Sequence, residues 1–315
     1  MQHSPEPASE LAQELAGPQR LVFTDLDGSL LDHHTYQHDA ARDALKALQQ
    51  RHIPVIPVTS KTRPEVEKLA RTLPFSGPMI VENGAAVLIP QSLVQACPSG
   101  AEKSGAFWLR AFCAPRQHWV DMVQQLGSEF RDEFFGLAGA DATTVAEITG
   151  LAPADALLAN TRAYSEPLLW QSSAARRDLF IQRISSLDGR AQIGGRLVSV
   201  SGDADKGKAI AWLRDIIATE TGRPVLDLAL GDGENDVPML EVTSSAVAIR
   251  SPNHKFPRLR RTDGLYFSKR CGPEGWAEGV FRWLEMTDHT DANTPKTDNN
   301  QTKDEALWET STRTE

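Results

Sequence analysis

The sequence has no apolar run long enough to span a bilayer, no basic run that resembles a nucleic-acid footprint, no internal repeat, and only three cysteines in 315 residues. Without about 20 consecutive apolar residues there is no candidate membrane span. Residues 1–17 carry Glu6, Glu10 and Glu14 where a secretory leader needs a basic end and an apolar centre. A formal net charge of −9, with Lys and Arg scattered, lacks the footprint of a nucleic-acid binder. Cys97, Cys113 and Cys271 are far apart, form no metal-ligand spacing and cannot all pair within one chain. The expectation is a cytoplasmic protein with reduced thiols whose partner is a small molecule, with no nucleic acid and no membrane.

What is present is an ordinary globular composition, 40% hydrophobic, in a length that suits two domains. Its most informative segment is Leu21-Val22-Phe23-Thr24 running into Asp25-Leu26-Asp27-Gly28-Ser29. An apolar run bounded by a glycine turn reads as a buried strand. In an open α/β sheet ligands bind at the carboxyl ends of the strands. Asp25 and Asp27 would therefore enter a cleft, and two close carboxylates call for a cation; oxygen ligands that leave room for substrate phosphate suit Mg²⁺. Two plainer readings compete. Asp-Gly after a strand is often only a turn. A calcium loop also begins with alternating acids, but it needs glycine at its sixth position, where Leu30 stands, and it follows a helix.

Along the chain, Ala41, Ala44, Leu45 and Leu48 have helical spacing, and residues 53–58 read as a second strand despite Pro54 and Pro57. Thr62 or Arg63 caps the next helix, with proline in its first turn. Met79-Ile80-Val81 is a third strand, Glu82-Asn83-Gly84 a turn, and residues 85–89 the other arm of a hairpin. Between residues 105 and 200 the rhythm changes to helical stretches, such as 119–130, mixed with strand-like runs near Ala156-Leu157-Leu158 and over 196–200. The doubly wound pattern resumes at Asp205-Lys206-Gly207-Lys208, followed by a helix over 209–218 and a strand over 225–230. The expected domains are a flexible N-terminus (1–17), a core in two parts (18–95 and 201–286), an inserted α+β domain (96–200) and a disordered tail (287–315).

Gly231-Asp232-Gly233-Glu234-Asn235-Asp236 again puts carboxylates after an apolar run. Alone it could be an acidic turn ahead of a helix starting near Val237-Pro238; paired with Asp25 and Asp27 it becomes a metal site. Thr59 with Ser60, and Lys206, stand at helix starts between the two acidic segments; alone, they would be a cap and a surface charge.

These four elements in this order resemble the haloacid dehalogenase superfamily of phosphohydrolases, over roughly residues 20–284. The resemblance implies an α/β fold, a Rossmann-like parallel sheet with an inserted α+β cap of the C2 type found in subfamily IIB. Within it the chain is similar to the mannosyl-3-phosphoglycerate phosphatase family and its glucosyl relatives. The residues behind this are Val58-Thr59-Ser60-Lys61-Thr62, Val81-Glu82-Asn83-Gly84-Ala85, Arg162-Ala163-Tyr164-Ser165-Glu166-Pro167, Gly194-Gly195-Arg196, Asp205-Lys206-Gly207-Lys208 and Gly272-Pro273-Glu274-Gly275-Trp276. Ser29 stands where threonine is usual, keeping a hydroxyl, and Leu197 where an aromatic is common.

Carried over, the resemblance makes Asp25 the nucleophile and Asp27 the acid and base. Mg²⁺ would be held by Asp25, Asp232 and the backbone carbonyl of Asp27, with Asp236 orienting its surroundings. Thr59, Ser60, Asn235 and Lys206 would meet the phosphoryl group. In the cap, Arg162 and Arg196 beside Tyr164, Ser165 and Glu166 would meet the substrate, the arginines suiting a carboxylate and Glu166 sugar hydroxyls; by themselves both arginines read as cap salt bridges. The expected activity is Mg²⁺-dependent hydrolysis of mannosyl- or glucosyl-3-phosphoglycerate in compatible-solute synthesis. Alternatives are a broader sugar or sucrose-phosphate phosphatase, a phosphomannomutase-type isomerase and a regulator on an inactive scaffold. Asp25→Asn is predicted to abolish phosphate release while leaving the far-UV circular dichroism unchanged; substantial turnover in that variant excludes a covalent route through Asp25.

Overall fold

The computed structural model describes residues 18–75, 77–194 and 197–292. The expectations for residues 1–17, for Arg196 and for the tail beyond Ala292 lie outside the described residues. In chain order the strands are β1 (Gln19–Thr24), β2 (Val55–Pro57), β3 (Met79–Val81), β4 (Ala86–Pro90), β5 (Glu102–Ser104), β6 (Phe107–Ala111), β7 (Phe134–Gly136), β8 (Glu166–Trp170), β9 (Arg190–Gly194), β10 (Leu197–Ser201), β11 (Val225–Gly231), β12 (Ser245–Arg250) and β13 (Leu265–Cys271).

The central sheet is parallel throughout, in the order β13-β12-β11-β1-β2. Its strands are apolar on both faces because helices cover both, as an all-parallel sheet requires. Leu21 and Phe23 of β1 join Ala209, Ile210 and Leu213 of the helix Lys206–Thr221 on one side. Val22 joins Leu45 and Leu48 of the helix Arg42–Gln50, and Trp276 and Val280 of the helix Gly272–Ala292, on the other. The prolines that weighed against β2 are accommodated at its margins. Pro54 precedes the strand, and Pro57 ends it on the sheet's outer strand.

A single parallel bridge, Val58 to Ile80, joins this sheet to a second one of order β3-β4-β6-β5. Here the inserted domain drawn from residue 96 is corrected. β6 pairs antiparallel with β4 and β5 with β6, so the insertion starts after Ala111. The cap sheet, β7-β8-β10-β9, is antiparallel and carries its own core of Trp119, Phe130, Leu168, Phe180 and Val200. A second correction falls on Ala156-Leu157-Leu158, which lies in the helix Pro153–Asn160. A three-residue apolar run cannot separate strand from helix by period, and Pro153 at the first helical position was the deciding signal.

The tail begins later than residue 287. The last helix continues to Ala292, Thr287 is buried and its hydroxyl bonds the Trp283 carbonyl at 3.0 Å. Asp288 takes Arg20 at 2.8 Å and Arg51 at 3.1 Å. Partial burial works against its ionisation, but the hydrogen bonds from Arg20 and Arg51 prevail and hold its carboxyl below the usual 3.8. A depressed carboxylate contributes stability at neutral pH that is lost as pH falls through its folded value. Asp288→Ala is therefore predicted to cost about 0.5–1 kcal/mol in urea unfolding at pH 7. The difference should shrink at pH 3 and at high salt; an unchanged midpoint at low salt would mean the helix end is not docked.

Candidate active site

The register of the central sheet brings the two acidic segments together. Thr24 lies opposite Leu230 of β11 and Pro57 of β2, so Asp25, Gly231-Asp232 and Val58-Thr59 leave the sheet at one level. Gly28 has φ of +80°, and a Cβ there would lie 2.6 Å from an Asp232 carboxylate oxygen. Only glycine lets the turn after β1 approach Asp232 so closely. Trp276, fully buried, donates its indole N–H to the Thr24 hydroxyl at 2.9 Å, fastening the last helix beside Asp25.

Lys206 begins its helix, with the Asp205 side chain capping the Lys208 amide. Its side chain is completely buried, and its ammonium lies 2.6 Å from Asp25 Oδ1 and 2.6 Å from Asp236 Oδ1. Asp236 Oδ2 accepts the amides of Asp232 and Gly233, each at 2.9 Å. Asp236 is thus fully engaged in holding the loop, while Asp25 Oδ2 remains for a ligand and the Asp232 carboxylate is held only by Ser29 at 3.5 Å and His254 at 3.2 Å. Asp25, Asp232 and Asp236 offer oxygens within 4.8 Å of one another.

One ammonium cannot balance this many acids. Burial, then Asp236, raise the Asp25 carboxyl well above the usual range, against the attraction of Lys206. Lys206 is also pushed up, since Asp236 and Asp25 outweigh the cost of its burial. Nearby acids contribute to both shifts, with burial the larger cause for Asp25; the pair keeps Lys206 charged and leaves Asp25 short of a cation. Burial and Asp236 lift Asp232 to about 6, opposed by His254, whose Nε2 is 3.2 Å away. All the donors are hard oxygens with a charge deficit, so the site fits a divalent cation such as Mg²⁺.

Asp27 faces the same cavity, of about 940 Å³, which Asp25, Ser60, Asn83, Arg162 and Asn235 also line. Lys61 binds its Oδ2 at 2.9 Å, while its buried Oδ1 has no partner. Lys61 was not among the expected site residues, although its position beside Thr59 and Ser60 was the available signal. Thr59 is fully buried and its hydroxyl accepts the Lys61 amide at 3.1 Å; Ser60, one residue on, reaches the cavity wall.

Core and cap meet through Glu82. Glu82, Asn83 and Gly84 are consecutive residues at positive φ, 48°, 59° and 92°. Such backbone costs about 1–3 kcal/mol per non-glycine residue and persists only where its surroundings enforce it. Gly84 is enforced by contact, since a Cβ there would lie 2.2 Å from the Asp205 carbonyl. The Glu82 carboxylate accepts the amides of Ala163 (2.7 Å) and Tyr164 (3.1 Å) and the Ser165 hydroxyl (2.6 Å). Arg162 joins this knot, donating to Ser165 at 2.7 Å and to the Ser60 carbonyl at 2.8 Å.

The expected cap contacts are thereby revised. Tyr164 packs against the cluster of Val66, Val81 and Leu88, and Ser165 serves Glu82 and Arg162. Glu166 is buried, receiving Arg116 at 2.7 Å and the Ala138 amide at 2.8 Å, so its oxygens are taken within the cap. None of the three lines the cavity. Its cap wall is built instead by Arg162, Pro167, Gln192, Leu197 and Ser199. The ion pair of Arg162 is with Glu82 of the core at 3.5 Å, not within the cap.

Residues 22–97 match the family of haloacid dehalogenase-like hydrolases. A glucosyl-3-phosphoglycerate/mannosyl-3-phosphoglycerate phosphatase of Methanococcoides burtonii is 32% identical over 262 residues, covering 83% of this chain and 96% of that protein. The chain belongs to the haloacid dehalogenase-like hydrolases. It is a phosphatase with the fold of subfamily IIB. A subclass IIB sugar phosphatase superposes with a TM-score of 0.54 at 16% identity, covering 85% of this chain and 99% of that one. The sucrose-phosphatase of Synechocystis sp. PCC6803 superposes with a TM-score of 0.55 at 13% identity over 86% and 98% of the two chains.

In this hydrolase Lys206 is the charge that lets Asp25 and Asp236 be buried together. Lys206→Met is predicted to lower unfolding free energy at pH 8 by about 3–5 kcal/mol, the cost of stranding buried charges. Without Lys206, whose attraction lowers it, the Asp25 carboxyl should rise further, so the folded state binds a proton that the unfolded state does not, and part of the loss should return at pH 5. Urea unfolding at the two pH values checks this; an equal loss at both would make the defect one of packing.

Proposed function

We propose that this phosphatase hydrolyses mannosyl- or glucosyl-3-phosphoglycerate to the hexosylglycerate and inorganic phosphate, with Mg²⁺, in the cytoplasmic synthesis of a compatible solute. The observation that carries the substrate is the near full-length similarity to a phosphatase named for both esters. The cavity of about 940 Å³ is roomy enough for a glycoside rather than a small phosphate alone.

In the first step Asp25 Oδ2 attacks phosphorus and the bond from phosphorus to the ester oxygen breaks, leaving an aspartyl phosphate and an alkoxide. Asp27 gives that alkoxide its proton. Lys61, 2.9 Å from its Oδ2, orients the carboxyl for this role. In the second step the Asp27 carboxylate takes a proton from water, the water oxygen attacks phosphorus, and the acyl phosphate bond breaks to regenerate Asp25. Lys206, the Ser60 segment and Asn235 surround the transferring group with cationic and hydrogen-bonding partners. Mg²⁺, held by Asp25, Asp232 and the Asp27 carbonyl, would supply charge neutralisation for the phosphoryl oxygens. Asp236 and Lys206 keep these ligands in place, and contacts of the cap with Ser60 and Asn83 exclude water.

The test is phosphate release with Mg²⁺ from mannosyl- and glucosyl-3-phosphoglycerate beside hexose 6-phosphates, sucrose 6-phosphate and 3-phosphoglycerate. A marked preference for one hexosyl ester supports the proposal and names the sugar. Equal turnover of simple sugar phosphates would reduce it to a broad sugar phosphatase, and a requirement for a hexose bisphosphate activator would turn it into a mutase. Because Asp232 holds its proton up to about pH 6, Mg²⁺ should raise the unfolding temperature more at pH 7.5 than at pH 5. A pH-independent shift would place the ion elsewhere.

A further inference from the structure

Three acids of the catalytic cavity have basic partners: Asp25 has Lys206, Asp27 has Lys61, and Asp232 has His254; a fourth, Glu234, accepts the Arg258 amide. Arg162, the cap cation that reaches the cavity, is engaged as well, by Ser60, Ser165 and the carboxylate of Glu82 at 3.5 Å. Two further cations line the same cavity, Lys255 and Arg258. Among the described residues neither the Lys255 ammonium nor the Arg258 guanidinium has an ion pair or a hydrogen-bond acceptor.

The segment that carries them is firmly held. The Arg258 amide donates to Glu234 at 3.4 Å, in the same turn as Asp232. The Arg260 amide donates to Glu241, and the Arg261 guanidinium caps the carbonyls of Leu240 (2.6 Å), Thr243 (2.8 Å) and Ser244 (2.9 Å). Phe256 packs edge-on to Phe267 with ring centres 4.9 Å apart, beneath the Arg250 guanidinium. The backbone of the loop is thus fastened to the sheet and to the Asp232 turn, while two long cationic side chains are left unpaired at the cavity. Solvated surface cations are common, but a concave wall of low dielectric strengthens the field of two like cations placed in it.

From this arrangement we infer that Lys255 and Arg258 recognise the carboxylate of the substrate's glycerate, so that selectivity for esters with a second acidic group resides in the core loop rather than in Arg162. The inference rests on the hexosyl-phosphoglycerate reading for the identity of the carboxylate. A phosphate seated at Asp25 and Lys206 leaves the carboxylate of 3-phosphoglycerate only three carbons away along the chain, within the cavity that both cations line. Arginine can take it through two parallel N–H bonds and lysine as a point charge.

The test compares two probes that differ only in this group, 3-phosphoglycerate and glycerol 3-phosphate, in binding titrations with Mg²⁺ on the wild type and on Lys255→Gln, Arg258→Gln and the double variant. Charged hydrogen bonds of this kind correspond to about a 10–100-fold preference for 3-phosphoglycerate in the wild type. That preference should fall to near parity in the double variant, with its unfolding temperature unchanged. No preference in the wild type, or one that survives the double substitution but disappears in Arg162→Gln, overturns the inference. The two readings fail separately. A wild type that shows the preference and its loss, yet releases no phosphate from hexosyl-3-phosphoglycerates, overturns the proposed substrate alone. Efficient turnover of those esters with the preference intact in the double variant overturns the carboxylate site alone.

Discussion

The structure turns on one buried ammonium. Lys206 lies between Asp25 and Asp236 at 2.6 Å from each, inaccessible to solvent. Isolated charges cannot remain ionised in such a place; together they can, because each satisfies the others. The three residues come from the ends of β1 and β11 and from the start of a helix, so the site forms only when the two halves of the core, separated by the whole cap, have come together. Asp236 extends the network by holding the amides of Asp232 and Gly233, which aims Asp232 at Asp25. The network holds more acids than cations, and that deficit makes it receptive to a dication, whose charge would in turn favour a transferring phosphoryl group.

The second constraint is the seam through Glu82. Its carboxylate, presented from left-handed backbone, bonds three consecutive residues of the cap, while its own amide donates to the Lys61 carbonyl at 2.9 Å and that of Asn83 to the Thr59 carbonyl at 2.8 Å. The segment carrying Thr59, Ser60 and Lys61 is therefore tied to the cap as well as to the sheet. Arg162 closes the circuit by reaching the Ser60 carbonyl. Movement of the cap would be transmitted to the residues around the phosphoryl group through these bonds, linking substrate enclosure to the alignment of Lys61 on Asp27.

Some of this was legible along the chain. Leu21 to Thr24 and Leu226 to Leu230 are apolar at every position or nearly so, the mark of strands covered on both faces, and each ends in an acidic glycine turn. Strand direction then follows from the helices between them. The edges were harder. β5 and β6 are short, with mixed burial, and their membership of the β4 sheet rests on pairing across a loop rather than on any local pattern. Residues 156–158 are too few to show a period, and Thr287 and Asp288 look like tail until Arg20 and Arg51 are brought alongside.

By itself the sequence determined the alternation of strands and helices, the pair of acidic strand ends and the lysine at a helix start, because each is a local pattern of side-chain type and spacing. Only the tertiary structure decided which polar atoms are already bonded. It gave Glu166 to Arg116, Arg162 to Ser60 and Glu82, and Lys61 to Asp27, and among the described residues left Asp27 Oδ1 and the charged ends of Lys255 and Arg258 without partners. The physical reason is that a charge's availability depends on which neighbours desolvate and satisfy it, and those neighbours come from segments far apart in the chain.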